Sequence, residues 1–208
     1  MARFSALLDA CVLVPIALAD TLLRLAEADL YRPLWSETIL DEMVMAIEEI
    51  HPDLGDGRAR HRADVMQEQF EDACVTGWQG LLSGLELPDP DDRHVLAAAL
   101  RGRADIIVTA NLSDFPESVL RRLNLGVQSP DDFLLNQLDL DPDRTVQVLR
   151  EQALAARRPC RTVSELLKLL GRCGVPRFAE AAARQLWRID DAPASGERGG
   201  PVESPRST

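Results

Sequence analysis

Two short apolar runs, each breaking off on small polar or acidic side chains, limit what this chain can fold into more than any other feature. The first, ALLDACVLV, has the length and apolar density of a central parallel strand and closes on Asp9 and Cys11. The second, ADIIVTAN, ends on Thr109 and Asn111. Around them the apolar residues recur at helical spacing, in IALADTLLRLAEADL and DDRHVLAAALRGR. YRPLWS is a short extended piece, since Pro33 forces its predecessor away from helix. Ser36 stands where an N-cap belongs, ahead of the amphipathic stretch ETILDEMVMAIEEI. RARHRADVMQEQFEDAC reads as a helix after the turn cluster HPDLGDG, and a short strand is expected to lead into the loop GLELPDPDD. FPESVLRRLN is a helix, LGVQS a last short strand, and PDDFLLNQLDL a helix with Pro130 in its first turn. Strands alternating with helices imply parallel pairing through right-handed crossovers, hence an α/β sandwich.

After DLDPD the pattern becomes helical only, in RTVQVLREQALAARR, TVSELLKLLGRCG and PRFAEAAARQLWR, set off by Pro159 and by Gly174 to Pro176. From Asp190 onward almost no apolar residue remains, so a disordered tail is expected. The expected organisation is an α/β domain over 1–140, a helical segment over 144–189 and a tail over 190–208.

Charge follows the same division. The net charge is −11, but residues 144–208 hold 12 Lys or Arg against 7 Asp or Glu, which leaves −16 on residues 1–143. The arginines Arg150, Arg157, Arg158, Arg161, Arg172, Arg177, Arg184 and Arg188 are either a solvated helix face or contacts for RNA phosphates. Trp187 and Phe178 are expected in the core. No apolar run reaches the roughly 20 residues of a membrane-spanning helix. The opening MARFSALLDACVLV looks briefly like a signal peptide, but the charge of Asp9 interrupts it, so a cytoplasmic protein is expected. Cys11, Cys74, Cys160 and Cys173 form no CxxC pair and read as free thiols. His51, His61 and His94 are scattered, which argues against zinc.

Four acids stand out by position. Asp9 ends the first strand, Glu42 lies one turn into a helix, Asp92 opens a helix after the PDPD loop, and Asp114 follows ADIIVTAN. In a parallel α/β sheet, ligands bind outside the carboxyl ends of the strands, where these positions converge. Clustered carboxylates repel one another without a cation, and hard oxygen donors suit Mg²⁺ or Mn²⁺. Asp89 and Asp91 are near enough to be mistaken for Asp92, which is preferred because it precedes the apolar face Val95, Leu96 and Leu100. Thr109 could hydrogen-bond a carboxylate or simply end its strand.

These residues resemble the PIN-domain family over about residues 3–140. LLDACVLV is similar to the family's opening strand and SETILDEM to its second motif. DPDDRHVLAAALRGRADIIVTANLSDFP is similar to its third and fourth motifs. The resemblance implies a PIN-like three-layer sandwich with a central parallel sheet and a small all-helical C-terminal segment. It also implies a ribonuclease dependent on Mg²⁺ or Mn²⁺, of the VapC toxin type, with RNA as substrate, a cognate antitoxin as partner and a homodimeric state. Leu22, Leu25 and Leu30 could serve the dimer contact or lie in the core. Carried over, Asp9, Glu42, Asp92 and Asp114 form the metal cluster. Asn111 stands where Asp is common and could offer a carbonyl oxygen or position a water.

Two other classes compete. One is a PIN-like module that binds RNA or protein without catalysis, which Asn111 favours. The other is a receiver or haloacid-dehalogenase-like phosphoryl-transfer fold. It needs a lysine after a later strand, whereas the only lysine is Lys168 in the C-terminal helices, and Asp-x-Asp is missing because Cys11 follows Asp9 two residues on.

Overall fold

Ser5–Leu8 (β1) carries SALL with no polar alternation, and all four residues are buried. That pattern belongs to a strand covered on both faces. The structure, a computed structural model, describes residues 4–55, 57–155 and 162–190. Arg32–Leu34 (β2), Ile106–Val108 (β3) and Gly126–Gln128 (β4) complete a sheet of order β2-β1-β3-β4. All pairings are parallel, with Leu7 opposite both Leu34 and Ile107.

β1 leads through Ala10–Leu13 (α1) and Ile16–Glu27 (α2) to β2. Glu37–Ile50 (α3), Arg58–Gln69 (α4) and Arg93–Gly102 (α5) then carry the chain back across the sheet to β3. These crossovers run in opposite directions, so right-handedness puts α2 and α5 on opposite faces and makes the fold a three-layer α/β sandwich. α5 packs on β1 and β3, and α2 packs on β2. A Cβ on Gly102, at the end of α5, would lie 2.7 Å from Val75 Cγ2, so this helix meets its neighbours closely. Glu117–Leu120 (α6) connects β3 to β4.

Three local readings need correction. ALLDACVLV does not remain a strand to its end: β1 stops at Leu8, and the Asp9 carboxylate accepts the Ala10 N–H at 2.7 Å, which starts α1. The helix expected to reach Cys74 stops at Gln69 because Phe70 turns inward, its ring edge-on to Trp35 at 5.8 Å. The strand expected before the PDPD loop is absent among the described residues. The flank beyond β2 is already taken, with Trp35 N–H donating to Ala73 O and Val75 N–H to Trp35 O.

Pro130–Leu140 (α7), Pro142–Ala155 (α8), Val163–Arg172 (α9), Pro176–Ala183 (α10) and Trp187–Asp190 (α11) follow β4. They pack onto the body, with α8 against α2, α7 and α9. At the α2–α8 contact, buried Gln152 accepts from Thr21 Oγ1 at 2.7 Å and donates to Ala17 O at 2.9 Å. Leu22 and Leu25 are fully buried in the core of one chain, while Leu30 is partly exposed and packed against that core. Phe178 is core as expected. Trp187 is not: it is 54% exposed, with the Arg188 guanidinium 4.7 Å over its ring. Arg177, Arg184 and Arg188 pair with Asp132, Glu180 and Asp143. Arg157, Arg158, Cys160, Arg161 and the tail lie outside the described residues.

Asp131, near the start of α7, is buried at 7% exposure because it caps another helix. Its oxygens accept the N–H groups of Arg177 at 3.2 Å and Phe178 at 2.8 Å, orphan donors in the first turn of α10. Replacing Asp131 by Ala strips that cap and is expected to destabilise the chain by about 2 kcal/mol, measured by urea unfolding. An unchanged midpoint would refute this role.

Candidate active site

The sheet order places a switch point between β1 and β3, since one connection leaves β1 toward β2 and another leaves β3 toward β4. Crevices at such points lie outside the carboxyl ends of the strands. Asp9 follows β1 there, and Thr109 to Asn111 follow β3.

Asp9 is only 6% exposed and is fully engaged. Oδ1 accepts from Ala10 N–H, and Oδ2 accepts from Thr109 Oγ1 at 2.6 Å and from Cys11 Sγ at 3.2 Å. Thr109, itself fully buried, therefore does more than end its strand. Its hydroxyl oxygen also receives the Asn111 N–H at 3.0 Å, which sets the course of the following loop. Cys11 Sγ receives the Ala110 N–H at 3.3 Å. Burial and then the Asp9 charge push the Cys11 thiol up to about 12, so it stays S–H and donates to the carboxylate.

Asp92 occupies the N-cap position of α5, yet its side chain makes no capping hydrogen bond. Burial, followed by the negative charges of Asp9, Asp114 and Asp89, pushes its carboxyl up to about 6, and His94 opposes the rise. Asp9 and Asp114 thus both lie within electrostatic reach of Asp92. Asp114 is half-buried and accepts from Ser113 Oγ at 3.2 Å, and the Asn111 side chain is exposed. Glu42 Oε1 lies 2.8 Å from His94 Nε2.

The fold also places two residues that the sequence leaves unassigned beside these acids, His94 against Glu42 and Cys11 against Asp9. Among the described residues, no three His, Cys, Asp or Glu side chains are placed to hold a metal ion together. No described helix is long and apolar enough to cross a membrane.

A family model described as PIN domain matches residues 5–113, more than half of the chain. The chain belongs to the PIN-domain family. A second model, described as the VapC50 C-terminal domain, matches residues 130–184, from α7 into α10. The chain is also 48% identical over 96 residues to the "Putative ribonuclease VapC50" of Mycobacterium tuberculosis (strain ATCC 25618 / H37Rv). That match covers 46% of this chain and 56% of the relative, so the chain spans just over half the length of the relative it matches. No solved structure matches.

The raised carboxyl of Asp92 gives a stability test. Its ordinary value is 3.8 and its folded one about 6, so the folded chain holds this proton more tightly than the unfolded chain does. Stability is then lost as pH rises through that window, and the loss is complete above it. Without divalent metal, Asp92→Asn should melt higher than the unsubstituted chain at pH 8, with the gap gone near pH 4. Melting curves with the same gap at both pH values would show that Asp92 is not repelled in this way.

Proposed function

We propose that this PIN-domain chain is a metal-dependent ribonuclease that hydrolyses RNA phosphodiester bonds. We further propose that it is the toxin of a toxin–antitoxin pair, acting in the cytoplasm as a homodimer checked by a protein antitoxin. The observation that carries the reading is the grouping of Asp9 and Asp114 around Asp92 near the sheet's switch point, where burial and then those charges push the Asp92 carboxyl up to about 6. The name of the mycobacterial relative supports the same reaction.

The donor set fits Mg²⁺ or Mn²⁺, which prefer carboxylate and carbonyl oxygens. It fits zinc less well, because the Cys11 thiol holds its proton and His94 Nε2 already lies 2.8 Å from Glu42 Oε1. A bound ion of this kind supplies charge stabilisation at the phosphate and an activated water. The chain's own residues divide the remaining work. Asp9 is a fixed oxygen ligand, oriented by Thr109, Cys11 and the Ala10 N–H. Asp92 and Asp114, both half-buried, would supply further carboxylate oxygens to such an ion. Glu42 offers its second oxygen, and Asn111 offers a carbonyl oxygen or orients a water. Repulsion among neighbouring acids disfavours a tight cluster without a cation. Asn111, standing where Asp is common, favours a second reading as a non-catalytic module for RNA or protein.

Cleavage of single-stranded RNA after EDTA stripping separates the two. The expected outcome is no cutting by the stripped chain, recovery on adding Mg²⁺ or Mn²⁺, and a loss of about a thousandfold in Asp9→Asn. Full activity in the stripped chain ends the metal-dependent reading. No cutting under any metal favours the binding module.

A further inference from the structure

We propose that Arg93 holds a backbone phosphate of RNA at the acidic edge of the sheet. The inference rests on the RNA-cleaving reading above and adds a contact for the strand, not for an ion. Arg93 is half-buried, and its Nε is shut off from water without a hydrogen-bond partner. Three other arginines among the described residues are half-buried, and each is satisfied. Arg24 pairs with Asp20, Arg188 pairs with Asp143, and Arg62 donates to the carbonyls of Leu13 and Val14. Of these four, Arg93 alone makes no hydrogen bond or ion pair with the chain. A guanidinium withdrawn from water needs acceptors in exchange. For Arg93 they come from outside the chain.

Topology fixes where that outside partner sits. α5 packs on β1 and β3 and ends where the chain turns into the start of β3. Its first turn therefore lies toward the edge where β1 and β3 end, and its last turn toward the opposite edge. Arg93 belongs to that first turn and directly follows Asp92, whose carboxyl feels Asp9 and Asp114. These acids make the edge anionic, so a negatively charged strand approaches it only where a cation offsets the repulsion. The planar fork of a guanidinium matches two phosphate oxygens. RNA carries a phosphate at every nucleotide, so a strand cut at the acids has neighbouring phosphates within reach of a long side chain. Arginines of the C-terminal helices fit this task less well, since Arg177, Arg184 and Arg188 already pair with carboxylates.

The experiment is binding of a fluorescein-labelled single-stranded RNA of mixed sequence to the full chain in EDTA, read by fluorescence anisotropy across a KCl series. Arg93→Gln is expected to weaken binding about tenfold. It should also lower the slope of log affinity against log salt by about 0.7, the share of one phosphate contact on a single strand. Arg93→Lys, which keeps the charge and loses the fork, should keep the slope and recover part of the affinity. Arg101→Gln removes the same charge from an exposed position about 12 Å further along α5 and should change neither quantity. If Arg93→Gln does not fold, Arg93→Met, which keeps the apolar stem, carries the same expectation. Unchanged affinity and slope in the Arg93 variant overturn the proposal. So does an equal loss in Arg101→Gln, which makes the effect one of net charge, or the absence of RNA binding by the unsubstituted chain. A loss confined to Arg93, in a chain that cuts no RNA with any metal, sustains the proposal and ends the nuclease reading.

Discussion

The site depends on one buried carboxylate. Asp9 sits where β1 ends, almost wholly removed from water, and such a charge is tolerated only when donors surround it. Those donors come from both sides of the switch point: the Ala10 amide and Cys11 thiol after β1, and the Thr109 hydroxyl after β3. The pairing of two central strands and the charge state of one side chain are therefore a single arrangement. It also sets the path onward, because Asp9 starts α1 and Arg62 of α4 closes that short helix by donating to the carbonyls of Leu13 and Val14.

Much of this was legible in the sequence where local chemistry decides the outcome. Ser36 caps α3 through the Ile39 N–H, and Ser129 with Pro130 opens α7, both as turn and cap chemistry dictates. The apolar runs became β1 and β3, and the acids after them met at one edge. The parts that failed were set by partners distant in the chain. Phe70 leaves its helix for Trp35, and the segment before the PDPD loop loses its strand because residues 73–75 already flank Trp35. Periodicity carries no record of such competition. The Glu42–His94 contact joins two helices far apart in sequence, so the sequence offers Glu42 only as a candidate metal ligand and His94 only as an isolated imidazole.

Charge behaves in the same two-layered way. The surplus of arginine after residue 143 is visible in composition, but the fold pairs Arg177 and Arg188 with Asp132 and Asp143, acids of the preceding segments. Exposed pairs of this kind add little stability. They do remove cations from the surface that composition alone would make available to phosphate.

The buried bond between Thr21 and Gln152 has a consequence for how the protein is made. Thr21 emerges early in synthesis and Gln152 late, yet α2 is sealed only when α8 lies on it. A nascent chain holding every acid of the site still lacks one wall of its core while α8 remains within the ribosome. Completion of the core is thereby deferred until the segment that forms α8 has been made.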